Sequence, residues 1–192
     1  MPKQVTFNRE ETLNLLIPLF IEKGYNGTSM QDIVDVTNLN RSSIYNTFGD
    51  KQSLFMTVLK CYAARQLNFK EEILSLNSNV KFALKIFFER LFLHQNKNNM
   101  INGCLLTNCS LELGQSDKSV QSLLLNSKEI MIRSFAEILS IGIEKGHLDS
   151  SINPKEFALF LYNNLQGLRV INGTSIDEES TKTIIKSLFE RI

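Results

Sequence analysis

The sequence predicts an all-α fold of about nine helices, with three short N-terminal helices ahead of a larger helical part. Three observations carry this. Apolar residues recur mostly at three- and four-residue spacing rather than in alternation, as amphipathic helices require. The 192 residues include only three Pro and nine Gly, so helix breakers are few. Helix-opening capping patterns recur at Asn8 and Glu11, at Ser29 and Asp32, and at Asn153, Pro154 and Glu156. A hydrophobic content of 43% supplies a substantial core and excludes global disorder.

The first helix is expected over about 9–23, with Leu13, Leu16, Ile17 and Phe20 on one face and Gly24 as its stop. Pro18 lies inside it and should kink it. Asn26-Gly27 has the composition of a hairpin turn, but no alternating runs flank it. Ser29 opens a second, short helix that ends near Asn38. Asn38-Leu39-Asn40 reads as a three-residue turn, because Asn tolerates the left-handed conformation, and Asn40 caps a third helix from Arg41 to about Phe48. Two short helices joined by a tight turn make a helix-turn-helix.

Gly49-Asp50 breaks and recaps the chain, and Leu54, Phe55, Val58, Leu59 and Tyr62 mark a fourth helix running toward Glu72. Helical spacing returns over 82–92, 104–113, 120–143, 157–170 and 184–192, giving five more. The last two extend to about 154–171 and 178–191. The division expected is 1–50 for the helix-turn-helix unit and 51–192 for the helical part behind it.

In a helix-turn-helix the second short helix enters the DNA major groove, so its outward residues must form hydrogen bonds and its inward ones must be apolar. Ile44 and Phe48, four apart, face the core. Arg41, Ser42, Ser43, Asn46 and Thr47 are left for base edges and phosphates, with Tyr45 and Lys51 as flanking phosphate contacts. Net charge offers no help: it is +1 overall, and residues 1–51 hold five Lys/Arg against six Asp/Glu, a balance of −1. That balance keeps open an alternative, a helical small-molecule- or protein-binding module without DNA binding.

The run FIEKGYNGTSMQDIVDVTNLNRSSIYNTFGDKQSLF resembles the signature of the TetR/AcrR family of transcriptional regulators. The first-helix Phe, the Gly-Tyr turn, the Thr/Ser cap, the Tyr-x-x-Phe third helix and the Lys-x-x-Leu start of the next follow in the family's order. The likeness covers roughly 9–60. Pro18, Val34 and Asn38 depart from it, where the family favours a good helix former, a small Ala and a turn Gly; none is a DNA-facing group. The resemblance places DNA contacts on Thr28, Asn40, Arg41, Ser42, Ser43, Tyr45, Asn46, Thr47 and Lys51. It implies a homodimer on a palindromic double-stranded operator, a regulator, a repressor above all, released by an unidentified small-molecule or electrophile effector.

It also implies that the last two helices pair between subunits. Leu161, Leu165, Leu168, Ile184, Ile185 and Leu188 form a stripe that serves either as that dimer interface or as intramolecular core. The segment from Gly103 to Leu113 resembles a Gly-Cys-Leu-Leu segment of a TetR subgroup whose members answer quinones and N-ethylmaleimide. Cys104 is thereby either a redox-sensing thiol, activated by its early helical position, or a small buried apolar residue. Cys104, Asn108, Phe88, Phe92, Phe135 and Tyr162 are the candidates for the effector pocket or sensor.

Cys61, Cys104 and Cys109 are odd in number and lack metal-ligand spacing, which fits a reducing cytoplasm. No signal-peptide pattern or membrane-spanning apolar run occurs, so a cytoplasmic protein off the membrane is expected. His94 and His147 lie far apart, without a Gly-rich phosphate loop or paired-His motif, and read as loop residues or helix-end dipole partners. No enzyme, cofactor or metal is expected. A thiol hydrolase using Cys104 with a His is the remaining reading.

Overall fold

The computed structural model describes residues 8–65, 68–93, 103–172 and 177–190. Among them the fold is all-helical, with ten helices, one more than the sequence spacing indicates. His94 lies outside the described residues.

Helix α1 (Arg9–Gly27) begins where Asn8 Oδ1 accepts hydrogen bonds from the backbone N–H groups of Glu10 and Glu11, at 3.1 and 3.3 Å. The dihedrals stay helical through Pro18, whose fixed φ suits a helix, and the break falls at Gly24 (φ 69°, ψ 179°). A short turn then reaches Gly27. Helices α2 (Met30–Thr37) and α3 (Arg41–Phe48) are joined through Asn38 in the left-handed region (φ 53°, ψ 22°), as its composition predicts. Ser29 and Asp32 form the full reciprocal capping box on α2.

Helix α4 (Lys51–Ala64), capped by Asp50, ends eight residues before the expected Glu72, and a separate α5 (Phe69–Leu76) follows. The reason lies in packing. Leu54, Phe55, Val58 and Leu59 join one hydrophobic cluster, while Phe69 and Ile73 join another. Phe55, Leu59, Tyr62, Phe69 and Ile73 would share one face of a continuous helix, and one straight face cannot serve two cores.

Helices α6 (Val80–Phe92), α7 (Leu105–Glu112), α8 (Lys118–Glu144), α9 (Pro154–Asn172) and α10 (Glu178–Phe189) complete the described fold. His147, in the turn after α8, accepts the Val80 N–H at its Nδ1 (3.3 Å). The first cluster combines α1 to α4 with Cys104, Leu105, Leu106, Cys109 and Val120. The second holds α5, α6, the C-terminal half of α8, α9 and α10. Helix α7 therefore packs into the same core as the helix-turn-helix, although it lies far along the chain from it.

The Leu stripe of the last two helices is intramolecular core. Leu161, Leu165, Leu168, Ile185 and Leu188 are buried within the protomer, and Ile184 packs half-buried against the same cluster. That corrects their assignment to a dimer interface: α6 and α8 of the same chain cover them. The outward stripe of α9 is instead apolar, with Leu159 53% exposed and Phe160, Val170 and Ile171 also exposed. Gly167 sits between them, and a Cβ there would meet nothing within 4 Å.

Candidate functional site

Helix α3 presents Arg41, Ser42, Tyr45, Asn46 and Thr47 to solvent, with Tyr45 46% exposed, while Ile44 and Phe48 are buried. The local sequence dictates this. Asn40 Oδ1 accepts the Ser43 N–H at 2.8 Å and the Ser42 hydroxyl at 2.7 Å, fixing the first turn. Gly49 donates its N–H to the Tyr45 carbonyl (2.9 Å) and closes the last. Asn40 and Ser42 are thus engaged in capping, and half-buried Ser43 offers less surface than Arg41, Asn46 and Thr47. Lys51, at the start of α4, holds its Nζ 4.4 Å above the Tyr25 ring, a cation-π contact that keeps its charge beside the headpiece.

Thr28 is a correction. Its side chain is buried and its hydroxyl donates to the Gly24 carbonyl at 2.6 Å, closing the bend that opens α2. It shapes the headpiece and presents no free hydroxyl to DNA.

The three aspartates of the headpiece are engaged locally. Asp32 caps α2 and pairs with Lys23 at 2.5 Å, Asp50 accepts the Ser53 N–H at 2.7 Å, and Asp35 accepts from Gln31. The Lys23 ammonium and the Ser29 hydroxyl and N–H hold the Asp32 carboxyl well below the ordinary carboxylate range. No carboxylate stands within α3 itself.

A second set of contacts, which the sequence does not announce, ties α7 to the headpiece. The Glu112 carboxylate accepts the backbone N–H groups of Tyr25 (2.8 Å) and Asn26 (2.6 Å), in the bend between α1 and α2. Asn108 Nδ2 donates to the Ile21 carbonyl at 3.1 Å, so this residue faces α1 and not a pocket. Gln52 of α4 donates to Asp117, the cap of α8.

On its other side α7 borders a cavity of about 280 Å³ shared with α8 and α9. Of the predicted pocket residues only Tyr162 lines it. Phe88 and Phe135 are fully buried in the second core, stacked 6.4 Å apart, and do not line this cavity. Phe92 and Cys104 border a smaller neighbouring cavity of about 90 Å³ together with Tyr62, Arg169 and Asn172.

Cys104 is only 3% exposed, and the Tyr62 hydroxyl donates to its Sγ at 3.6 Å. Burial pushes this thiol up, but the Arg169 guanidinium and hydrogen bonds from Thr107 bring it below its ordinary value. Burial raises the Tyr62 hydroxyl, and the neighbouring thiol adds to that. Cys109 differs: burial, with the Glu112 and Asp117 carboxylates adding, pushes it up to about 12. Among the described residues no helix is long and apolar enough to cross a membrane.

An exposed hydrogen-bonding helix, held by a tight turn on a three-helix headpiece and backed by a second helical core, defines a helix-turn-helix DNA-binding protein. Residues 17–58 match the bacterial regulatory proteins of the tetR family, and residues 83–187, more than half the chain, match the tetracyclin repressor-like C-terminal domain. The chain belongs to the TetR family and is a DNA-binding transcriptional regulator. It is 29% identical over 112 residues to the uncharacterized HTH-type transcriptional regulator YezE of Bacillus subtilis (strain 168), a match spanning 58% of each chain. It is 23% identical over 165 residues to the HTH-type transcriptional repressor ComR of Escherichia coli (strain K12), spanning 85% of this chain and 79% of that one. The fold also matches that of the TetR family regulator CifR, solved as a cysteine mutant on a 26 bp double-strand operator DNA. There the TM-score is 0.84 and the identity 22%, covering 96% of this chain and 97% of that one.

Proposed function

We propose that the protein is a repressor that binds a roughly palindromic operator as a dimer and is released when its regulatory half takes up a small molecule or when Cys104 is modified. One observation carries this reading. A single short helix, α7, borders the effector cavity with Leu106, Thr107 and Ser110, and reaches the headpiece with Asn108 and Glu112. A shift of α7 toward an occupant alters the bend that sets α2, and with it the pitch at which α3 meets the groove. Coupling of about 1–3 kcal/mol, typical of allostery, lowers operator affinity about 5- to 150-fold.

In this reading Arg41, Asn46 and Thr47 read base edges, Tyr45 and Lys51 contact phosphates, and Ser42 and Ser43 support the first turn of α3. Residues 1–50 form the DNA-reading unit and 51–192 the regulatory one, with α7 joining their cores. The outward stripe of Leu159, Phe160, Gly167 and Val170 meets its symmetry mate across the dimer axis. ComR is named a repressor, and CifR was solved on operator DNA with its cysteines altered; both support the assignment. In this reading the protein acts on DNA in the cytoplasm and is a regulator, not an enzyme.

Selection from a random duplex library tests the reading. A two-fold symmetric consensus with half-sites about one helical turn apart supports it. Recovery of unrelated sequences with no shared half-site refutes it.

A further inference from the structure

The cavity beside α7 has a distinctive charge. Two cationic residues, Lys128 of α8 and Arg169 of α9, line it, and no Asp or Glu does. Neither cation forms a salt bridge within 4.0 Å among the described residues, whereas the ion pairs of Lys23, Lys70 and Lys182 close to 2.7 Å or less. Arg169 is half-buried. A half-buried guanidinium without a carboxylate has lost part of its hydration and gained no counter-charge, an arrangement that favours an incoming anion.

The remaining lining fits such a guest. Leu106, Leu124 and Met131 supply an apolar wall, and the Tyr162 hydroxyl supplies a donor, whereas the Ser110 and Ser127 hydroxyls already donate to the Thr107 and Leu123 carbonyls. Burial raises the Tyr162 hydroxyl above its ordinary range, so it keeps its proton and can donate. The Thr107 hydroxyl donates to Gln166 Oε1 at 2.7 Å, fixing the amide at the cavity edge. The smaller cavity that Arg169 also lines adds a second observation. Its Asn172 Nδ2 is a buried donor with no hydrogen-bond partner among the described residues, and such a donor calls for an acceptor.

We propose that this cavity binds a small organic anion with an apolar body, a carboxylate or a phenolate, and that Arg169 receives its negative charge. The proposal rests on the effector-responsive reading above and specifies its ligand class. The guanidinium offers a planar fork that a carboxylate matches with two parallel bonds, Lys128 adds a second positive charge, and the leucines and Met131 take up the body. The volume of about 280 Å³ suits a one- or two-ring compound. Arg169 also stands beside Cys104, so an anion seated there shares the charge that depresses the thiol.

The test uses the full chain and three isosteric probes: 2-naphthoate, 2-naphthamide and 2-naphthylmethylammonium, titrated by calorimetry. The carboxylate is expected to bind about tenfold or more tightly than the amide, and the amine least. Arg169→Gln is expected to reduce naphthoate affinity about tenfold while leaving naphthamide unchanged, and Arg169→Lys to restore part of the loss. Thermal melting of each variant separates a lost contact from a lost fold, and Lys128→Gln, on the same cavity, is expected to give a smaller loss in the same direction. Equal binding of the three probes, preference for the amine, no binding of the carboxylate, or an unchanged preference in Arg169→Gln overturns the proposal. Operator binding is measured in the same preparations. Protein that prefers naphthoate yet selects no DNA sequence sustains the anion site and refutes the repressor reading. Protein that reads DNA but ignores probe charge does the reverse.

Discussion

Replacing Glu112 by alanine isolates the link between the regulatory half and the headpiece. The side chain accepts two backbone N–H groups in the bend after α1, that of Tyr25 in a partly buried position and that of Asn26 in an exposed one. Hydrogen bonds to a charged group contribute about 1.5–3 kcal/mol each where water cannot replace them. Water can reach the Asn26 N–H after the substitution, so most of the loss comes from Tyr25, and the sum is about 2–3 kcal/mol. For a chain of this size each kcal/mol shifts the melting temperature by about 2–4 °C, so the variant should melt about 4–12 °C lower. Amide hydrogen exchange adds site resolution: Tyr25 and Asn26 should lose protection while the buried stretch of α9 keeps its own. Operator affinity should fall as well, because the bend sets the entry of α2. Glu112→Gln keeps one acceptor oxygen and should fall between. Unchanged melting together with unchanged exchange at Tyr25 and Asn26 refutes the idea that this carboxylate holds the headpiece.

Arg41→Ala should weaken operator binding by about 1–3 kcal/mol and narrow the gap to scrambled DNA, checked by anisotropy; a uniform loss on both DNAs assigns Arg41 to phosphate alone. Leu159→Glu places a charge on the outward face of α9 and should yield monomers in sedimentation velocity with helical content intact, whereas a persistent dimer moves the interface elsewhere. For Asp32 the native carboxyl is held below the ordinary value of 3.8, so its contribution is present above that value and lost as pH falls toward the depressed native one. Asp32→Asn should therefore be less stable than the parent at pH 7, with the difference shrinking in melts below about pH 4. Gly142→Ala puts a Cβ 2.6 Å from Leu148 Cδ1 and 3.0 Å from Val80 Cγ1 in a buried turn of α8, and should destabilise by about 1–3 kcal/mol in urea unfolding.

Much of the headpiece is legible in the sequence because short-range chemistry determines it. Ser29 with Asp32, Asn38 in a left-handed turn and Asn40 as a cap act within four residues, and each is found where its composition places it. What was not legible depends on distant partners. The break between α4 and α5 is invisible in a stripe that keeps helical period throughout; only the two separate cores demand it. The Leu161, Leu165 and Leu168 stripe reads the same whether a partner subunit or α6 and α8 cover it, and the chain's own helices do. Thr28 carries a hydroxyl suited to phosphate, yet the Gly24 carbonyl claims it. Glu112 and Arg169 carry no local signature at all: one acts through backbone 86 and 87 residues away, the other through the carboxylates it lacks.

The central claim is that α3 reads DNA sequence in a manner governed by the regulatory half. Fluorescence anisotropy of the purified protein on its own upstream intergenic duplex, against scrambled competitor and over a salt series, tests it most directly. The account predicts saturable binding of one dimer per site, a preference over scrambled DNA that survives moderate salt, and loss of that preference in Arg41→Ala. Equal affinity for both duplexes, vanishing together as salt rises and indifferent to Arg41, contradicts it.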